Sequence, residues 1–205
     1  MLLVSKGDLA GARAIVETPP AGIPLTRFVS YFATYFEMFW LLTPEQQRLA
    51  LRLPPSEFDD DRGSWGLAIA GIARLMGDSA TARAYGDSAR IALEEQLRGA
   101  PDDAQLHVLR GVALAHTGRK AEATHEGERG VALLPISADA VNAPYMAHQL
   151  ARIYIMVGEP DEALDRLEEL LRVPYLLSPA WLQADPTFDP IRKHPRFARL
   201  VQVSP

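Results

Sequence analysis

The sequence predicts an all-α fold, a solenoid of antiparallel helix pairs, on three observations. Glycines recur at Gly77, Gly118 and Gly158, 41 and 40 residues apart. Five residues after each stands an alanine (Ala82, Ala123, Ala163), and seven residues before each stands a small residue (Ala70, Gly111, Ala151). Strand signals, meaning alternating β-branched and aromatic runs bounded by turn residues, are lacking along the 205 residues.

The spacing has a direct physical reading. A glycine just past a helix end takes the left-handed conformation that closes the last turn. The residue that follows opens the next helix, with Asp78 as a predicted N-cap and Pro160 as a first-turn proline. The two small residues lie twelve positions apart, one on each helix, where they let the axes approach closely. Three units follow, over residues 64–98, 104–135 and 144–175. A unit of this kind buries its faces only by stacking on neighbours.

These units resemble the tetratricopeptide repeat. The third carries Leu106, Leu109, Gly111, Leu114, Gly118, Ala123, Gly127, Gly130 and a closing Pro135. The fourth carries Leu150, Ala151, Tyr154, Gly158, Ala163, Leu167 and Leu170, and the second Ile69, Ala70, Ala73, Gly77, Ala82 and Ala89. The resemblance implies a right-handed superhelix whose first helices line a groove. The chain departs from the family pattern where a large aromatic is usual early in the first helix, since Gly66, His107 and Ala147 stand there. Its period also exceeds the roughly 34 residues usual for the family, which keeps a HEAT-like solenoid as the alternative.

The two ends extend the reading. Residues 1–20 match the second half of a unit, with Gly7 as the turn and Ala12 as the small residue. The missing first helix leaves an edge that a longer chain or a second copy would cover. Residues 178–205 leave the repeat and end in a short amphipathic stretch, as expected of a cap on the last unit. This closing run resembles the end of tetratricopeptide regions in bacterial multidomain regulators, in which a winged-helix, serine/threonine kinase or nucleotide cyclase domain lies upstream. Residues 1–205 are thus expected to form one array.

Between the half unit and the regular units, residues 24–55 read as a degenerate pair beginning with an aromatic helix. Phe28, Tyr31, Phe32, Tyr35, Phe36, Phe39 and Trp40 crowd into it, with 28, 32, 35 and 39 at helical spacing. The stripe is either core, the commoner fate of such spacing, or a dimer or interdomain surface anchored by aromatics.

Composition narrows the function. The chain is 48% hydrophobic and 23% charged, an ordinary globular balance, with a formal net charge of -5 that offers no basic face to nucleic acid. The absence of cysteine excludes disulfides and thiolate chemistry and favours a reducing, cytoplasmic setting. The most apolar stretch, 24–42, is interrupted by Arg27 and Glu37, so membrane insertion is not expected. His107, His116 and His125 are spaced by nine and cannot share a metal locally. Asp59, Asp60 and Asp61 read as a solvated loop that caps the next helix. Gly118-Arg119-Lys120 is like the end of a phosphate loop, but Ala113 stands where its first glycine belongs. No catalytic residue, metal or cofactor is expected.

Taken with the tetratricopeptide resemblance, a non-catalytic interaction domain is the expected function, with a protein or peptide partner in the groove and homodimerisation through the open edge and aromatic helix as the alternative. The positions that resemble groove positions are Leu67, Gly71, Arg74 and Leu75 in the second unit, Gln105, Val108, Val112 and His116 in the third, and Tyr145, His148, Arg152 and Met156 in the fourth. The lysine–asparagine–arginine clamp by which some members hold a peptide carboxylate is not reproduced. An extended or helical segment with apolar anchors fits better.

Overall fold

In the computed structural model, which describes residues 1–202 apart from the side chains of residues 36 and 37, every regular element is helical. The helices are α1 (Leu2–Ser5), α2 (Leu9–Glu17), α3 (Leu25–Thr34), α4 (Pro44–Ala50), α5 (Arg62–Leu75), α6 (Ser79–Gly99), α7 (Ala104–His116), α8 (Lys120–Leu133), α9 (Ala143–Val157), α10 (Pro160–Leu170), α11 (Pro179–Ala184) and α12 (Pro195–Gln202). Short 3-10 segments cover Tyr35–Leu41, Pro55–Phe58 and Pro186–Ile191. Among the described residues no helix is long and apolar enough to cross a membrane.

The glycine turns are four copies of one closure. Gly7, Gly77, Gly118 and Gly158 all sit at φ between 79° and 80°, in the left-handed region. At each, the following residue's N–H reaches back to the last turn: Asp78 to the Ala73 carbonyl at 2.9 Å, Arg119 to Leu114 at 3.1 Å, Glu159 to Tyr154 and Asp8 to Leu3 at 2.8 Å. This is the Schellman arrangement, which satisfies carbonyls that a helix end would leave bare. Asp78 then caps α6 by accepting from the Thr81 N–H, and Asp8 caps α2 by accepting from Gly11. Asp61 does the same for α5, so one carboxylate of the acidic loop holds a helix start.

Helices α5 and α6, α7 and α8, and α9 and α10 pack as sequential pairs, and α6 meets α7 while α8 meets α9. Small residues set the closeness. A Cβ on Gly111 would stand 2.9 Å from the Ala123 carbonyl and 3.1 Å from the Gly127 nitrogen, so α7 and α8 cross almost backbone to backbone. Ala70, Ala151, Ala123 and Ala163 are fully buried at the matching positions. A chain of salt bridges leads from α6 to α8: Arg90 to Glu94 within α6 at 2.7 Å, Glu94 to Arg110 of α7 at 3.0 Å, and Arg110 to Glu126 of α8 at 2.7 Å.

Three expectations change. The aromatic run is not one helix: α3 ends at Thr34, whose hydroxyl donates back to the Ser30 carbonyl, and the chain continues as a 3-10 segment. Such back-bonding competes with helical geometry. The N-terminal edge is not open, because α1 packs against α11. The Ser178 hydroxyl donates to the Ser5 carbonyl at 2.7 Å, the Ser5 hydroxyl donates to the Leu176 carbonyl, and Gly7 lies against Ala180. The faces of α5 and α9 expected to line an open groove are largely covered by the chain itself. The 3-10 segment Tyr35–Leu41 lies on α5, and Pro186–Ile191 lies on α9.

The main core therefore joins both ends of the chain. It runs from Val4 and Val16 through Phe28, Phe39 and Trp40 to Ala68, Ile72, Leu150, Tyr154, Trp181 and Phe188. Trp181 and Phe188 are fully buried. Each such side chain contributes roughly 1.5–3 kcal/mol relative to exposure, so sealing the helix pairs is strongly favoured over an empty groove. Arg196 fastens α12 to α10 through Asp161, Asp165 and Glu168.

Candidate functional site

Self-filling leaves openings at both ends of the first helices of the pairs. At the C-terminal ends of α5, α7 and α9, a pocket of about 250 Å³ is lined by Gly71, Arg74, Leu75, His116, Arg152, Ile155 and Met156. Phe39 and the segment around Pro186, Thr187, Asp189 and Pro190 close its other side. Six predicted groove residues, Gly71, Arg74, Leu75, His116, Arg152 and Met156, thus meet in one place. They meet because each lies in the turn or two before a glycine elbow, so the repeat sets their positions side by side.

Gly71 shapes this pocket. A Cβ there would come within 2.8 Å of the Phe39 ring, so a side chain at this position would force the aromatic wall to shift. His116 is held neutral, its pKa lowered to about 3 by burial and then by the Arg74 and Arg152 charges. Arg74 is itself lowered by desolvation and by Arg152. The His116 Nδ1 is buried without a hydrogen-bond partner. Arg152, only 7% exposed, donates to the Gln149 side chain at 3.3 Å. Asp189 pairs with Arg192, and Asp185 accepts from the Thr187 N–H at 2.8 Å and the Trp181 indole at 3.3 Å.

At the opposite ends of α7 and α9 a cleft of about 580 Å³ is lined by Tyr35, Asp103, Gln105, Leu133, Val141, Tyr145 and Tyr175. A second cleft of about 600 Å³, lined by Ile23, Arg27, Tyr31, Glu57, Asp59 and Asp61, shares Thr34 with the first. Between them Tyr31 and Tyr35 stack at 5.1 Å with an interplanar angle of 12°. They are 56% and 40% exposed, and Val141 across the cleft is 82% exposed.

The remaining predicted residues are not on a free surface. Val108 and Val112 are buried, Leu67 is half-buried between two small cores, and His148 is buried against Tyr175 and Phe188. Of the aromatics, Phe28, Phe39 and Trp40 are buried and Phe32 half-buried, so most of the stripe is core. Phe36 lies outside the described side chains. Sequence reasoning missed Phe39 and the Pro186–Pro190 wall as parts of the pocket. Gly71, predicted as a groove position, was the available signal that something packs closely on α5.

Compared with protein-family models, with curated proteins and with solved structures, the chain finds no match in any of the three.

Proposed function

We propose that this chain is a non-catalytic interaction domain, a tetratricopeptide-like solenoid that docks an apolar segment of a partner protein and serves a larger cytoplasmic regulator of bacterial type. The four equal glycine elbows and the Gly111–Ala123 crossing support the repeat reading over the HEAT-like one. The docking reading rests on one observation: the stacked, exposed Tyr31–Tyr35 pair standing between two clefts. Rigid aromatics at a concave edge bury much area at small entropic cost, the usual anchor of an interface. The rims carry Glu57, Asp59, Asp61, Asp102 and Asp103, which suits an apolar segment flanked by lysine or arginine.

Replacing Tyr31 and Tyr35 together by serine tests the reading. Capture of the partner should be lost while the thermal melt stays within a few degrees, since Tyr31 and Tyr35 are both exposed. Undiminished capture overturns the assignment. A second copy is the alternative occupant of the same aromatic pair. Light scattering across a concentration series separates the two, because only self-association makes the mass of the purified chain concentration-dependent and sensitive to the double substitution.

A further inference from the structure

We propose that the pocket between the end of α10, residues 177–179 and α12 is a docking site for an acidic segment of a partner protein, one that carries a leucine- or phenylalanine-size side chain among its carboxylates. The pocket shares no lining residue with either tyrosine cleft, so the inference does not depend on docking there.

The apolar floor comes from the way the cap is seated. Phe197 is buried and holds α12 on the core, while Leu200, one turn further along the same face, is only half-buried. With Leu171, Leu177 and Pro179 it lines a pocket of about 520 Å³. Leu177 is buried and Leu171 and Pro179 are half-buried, so the floor opens to water at its edge.

The polar lining divides into two kinds. The Ser178 hydroxyl donates to the Ser5 carbonyl and accepts from the Trp181 N–H, and Arg196 is held by Asp161, Asp165 and Glu168. These groups fasten the cap. Arg172, just past α10, and Arg199, on α12, are exposed, and their side chains form no ion pair or hydrogen bond among the described residues. Three arginines and one glutamate line the pocket, an excess of two positive charges in a chain whose formal net charge is -5. The tyrosine clefts have the opposite sign, with Arg27 set against Glu57, Asp59, Asp61, Asp102 and Asp103. The two surfaces therefore select different partners.

Guanidinium groups match carboxylates with paired hydrogen bonds, and clusters of them recognise acidic motifs. A bare anion would leave the leucines in water, and an apolar segment without acids would leave Arg172 and Arg199 unanswered. Both cations are exposed and stand on separate elements, so a ligand that reaches the two extends across the surface, as a polypeptide does.

Fluorescence anisotropy of labelled peptides titrated with the full chain tests the site. The probes are Ser-Glu-Asp-Leu-Phe-Glu-Asp-Ser and Ser-Glu-Leu-Glu-Asp-Leu-Glu-Ser. At least one should bind saturably, and its counterpart with serine at the apolar positions should bind at least about tenfold more weakly. Arg172→Gln with Arg199→Gln should weaken binding by about tenfold or more and leave the thermal melt unchanged, because both side chains are exposed. Arg62→Gln with Arg83→Gln, exposed arginines outside the pocket, and the double tyrosine substitution should leave binding as it was. The proposal is overturned if neither peptide binds, if the serine counterpart binds equally, or if the Arg172 and Arg199 substitutions change nothing. An equal loss in the Arg62 and Arg83 variant would reduce the effect to diffuse charge, and a loss in the tyrosine variant would move the peptide to the clefts; either result overturns the assignment. So would hexanoate displacing the peptide at equal concentration, which would make the ligand a small acid. A concentration-dependent mass that the Arg172 and Arg199 substitutions abolish would give the surface to a second copy instead.

Discussion

His107 Nδ1 lies 2.6 Å from Glu126 Oε2, and its Nε2 lies 2.9 Å from the Pro101 carbonyl. The ring is thus gripped from both sides, by α8 and by the loop before α7. Arg110 reaches the other Glu126 oxygen at 2.7 Å, which makes the carboxylate a buried clasp between α7 and α8. Removing one member of a buried pair strands the others. Glu126→Ala should therefore cost about 3–5 kcal/mol in a urea unfolding curve, far more than Glu122→Ala on the exposed side of the same helix. Equal costs for the two substitutions would mean that the clasp contributes nothing.

The same clasp sets an acid limit. Burial pushes the Glu126 carboxyl up, but hydrogen bonds from His107 and Arg110 outweigh it and hold the group below the usual carboxylate range. A group depressed on folding stabilises the protein above its unfolded pKa, near 4.3, and that share is lost as pH falls through the folded value. Glu94 is lowered in the same sense by Arg90 and Arg110, against its own desolvation. Stability should drop below about pH 4, and Glu126→Gln should be less stable at pH 7 yet lose less on acidification. Parallel curves for the two proteins would dismiss the linkage.

The elbows and the crossings predict two different glycine phenotypes. No heavy atom lies within 4 Å of a Cβ placed on Gly118, so Gly118→Ala meets only the left-handed backbone penalty of about 1–2 kcal/mol. Gly118→Asn should recover part of it, because asparagine tolerates that conformation. At Gly111 the backbone is not left-handed, but the Ile153 Cδ1 and the Ala123 carbonyl would be 2.6 Å and 2.9 Å from the new Cβ. Gly111→Ala should cost 1–3 kcal/mol or more through overpacking, with no rescue by asparagine. Chemical denaturation of Gly118→Ala, Gly118→Asn, Gly111→Ala and Gly111→Asn distinguishes strain from crowding.

These two glycine classes also mark what could be read without coordinates. Elbows and crossings are local: a φ above zero demands glycine, and a close approach demands a small residue, so Gly77, Gly118, Gly158 and Ala123 speak directly from the sequence. Contacts between the chain's ends carry no period. Nothing around Ser5 indicates that it will meet Ser178, more than 170 residues away. Val112 is buried in a small core with Ala123 and Ile153 and Val108 lies against Gly130, so the helix pairs themselves cover them, while His148 is covered by Tyr175 and Phe188 of the C-terminal segment; an open groove was the wrong expectation for all three. Glu126 was legible in principle, since it shares a face with Ala123 and Gly130 that must be buried, and a buried carboxylate requires a cation.

Two histidines make stability sensitive to mild acid. Burial lowers the pKa of His148 to about 3, with the Arg152 charge adding to the effect, and His116 is lowered likewise. The unfolded chain takes up these protons near pH 6.5 and the folded chain does not. Their contribution is thus present above pH 6.5 and falls as pH drops toward 3, by up to about 1.4 kcal/mol per pH unit for each ring. His148→Leu should flatten the fall in urea midpoint between pH 7 and 5. An unchanged slope would show that His148 is protonated in the folded chain.

Closure of the two ends predicts that they unfold as a unit. Trp181 is fully buried and meets Trp40 edge to face at 6.5 Å, while α11, which carries it, is also the helix that covers α1. Trp181→Ala should cost about 3–5 kcal/mol, through lost burial and the cavity left behind. It should also raise amide exchange in Leu2–Ser5 and Leu9–Glu17 together with Pro179–Ala184, because the N-terminal helices lose the surface they pack on. The α7–α8 pair, held by its own crossing at Gly111 and by the Glu126 clasp, should keep its protection. Exchange that rose only around Trp181, with α1 and α2 as slow as before, would show that the N-terminal helices are held by something other than the cap.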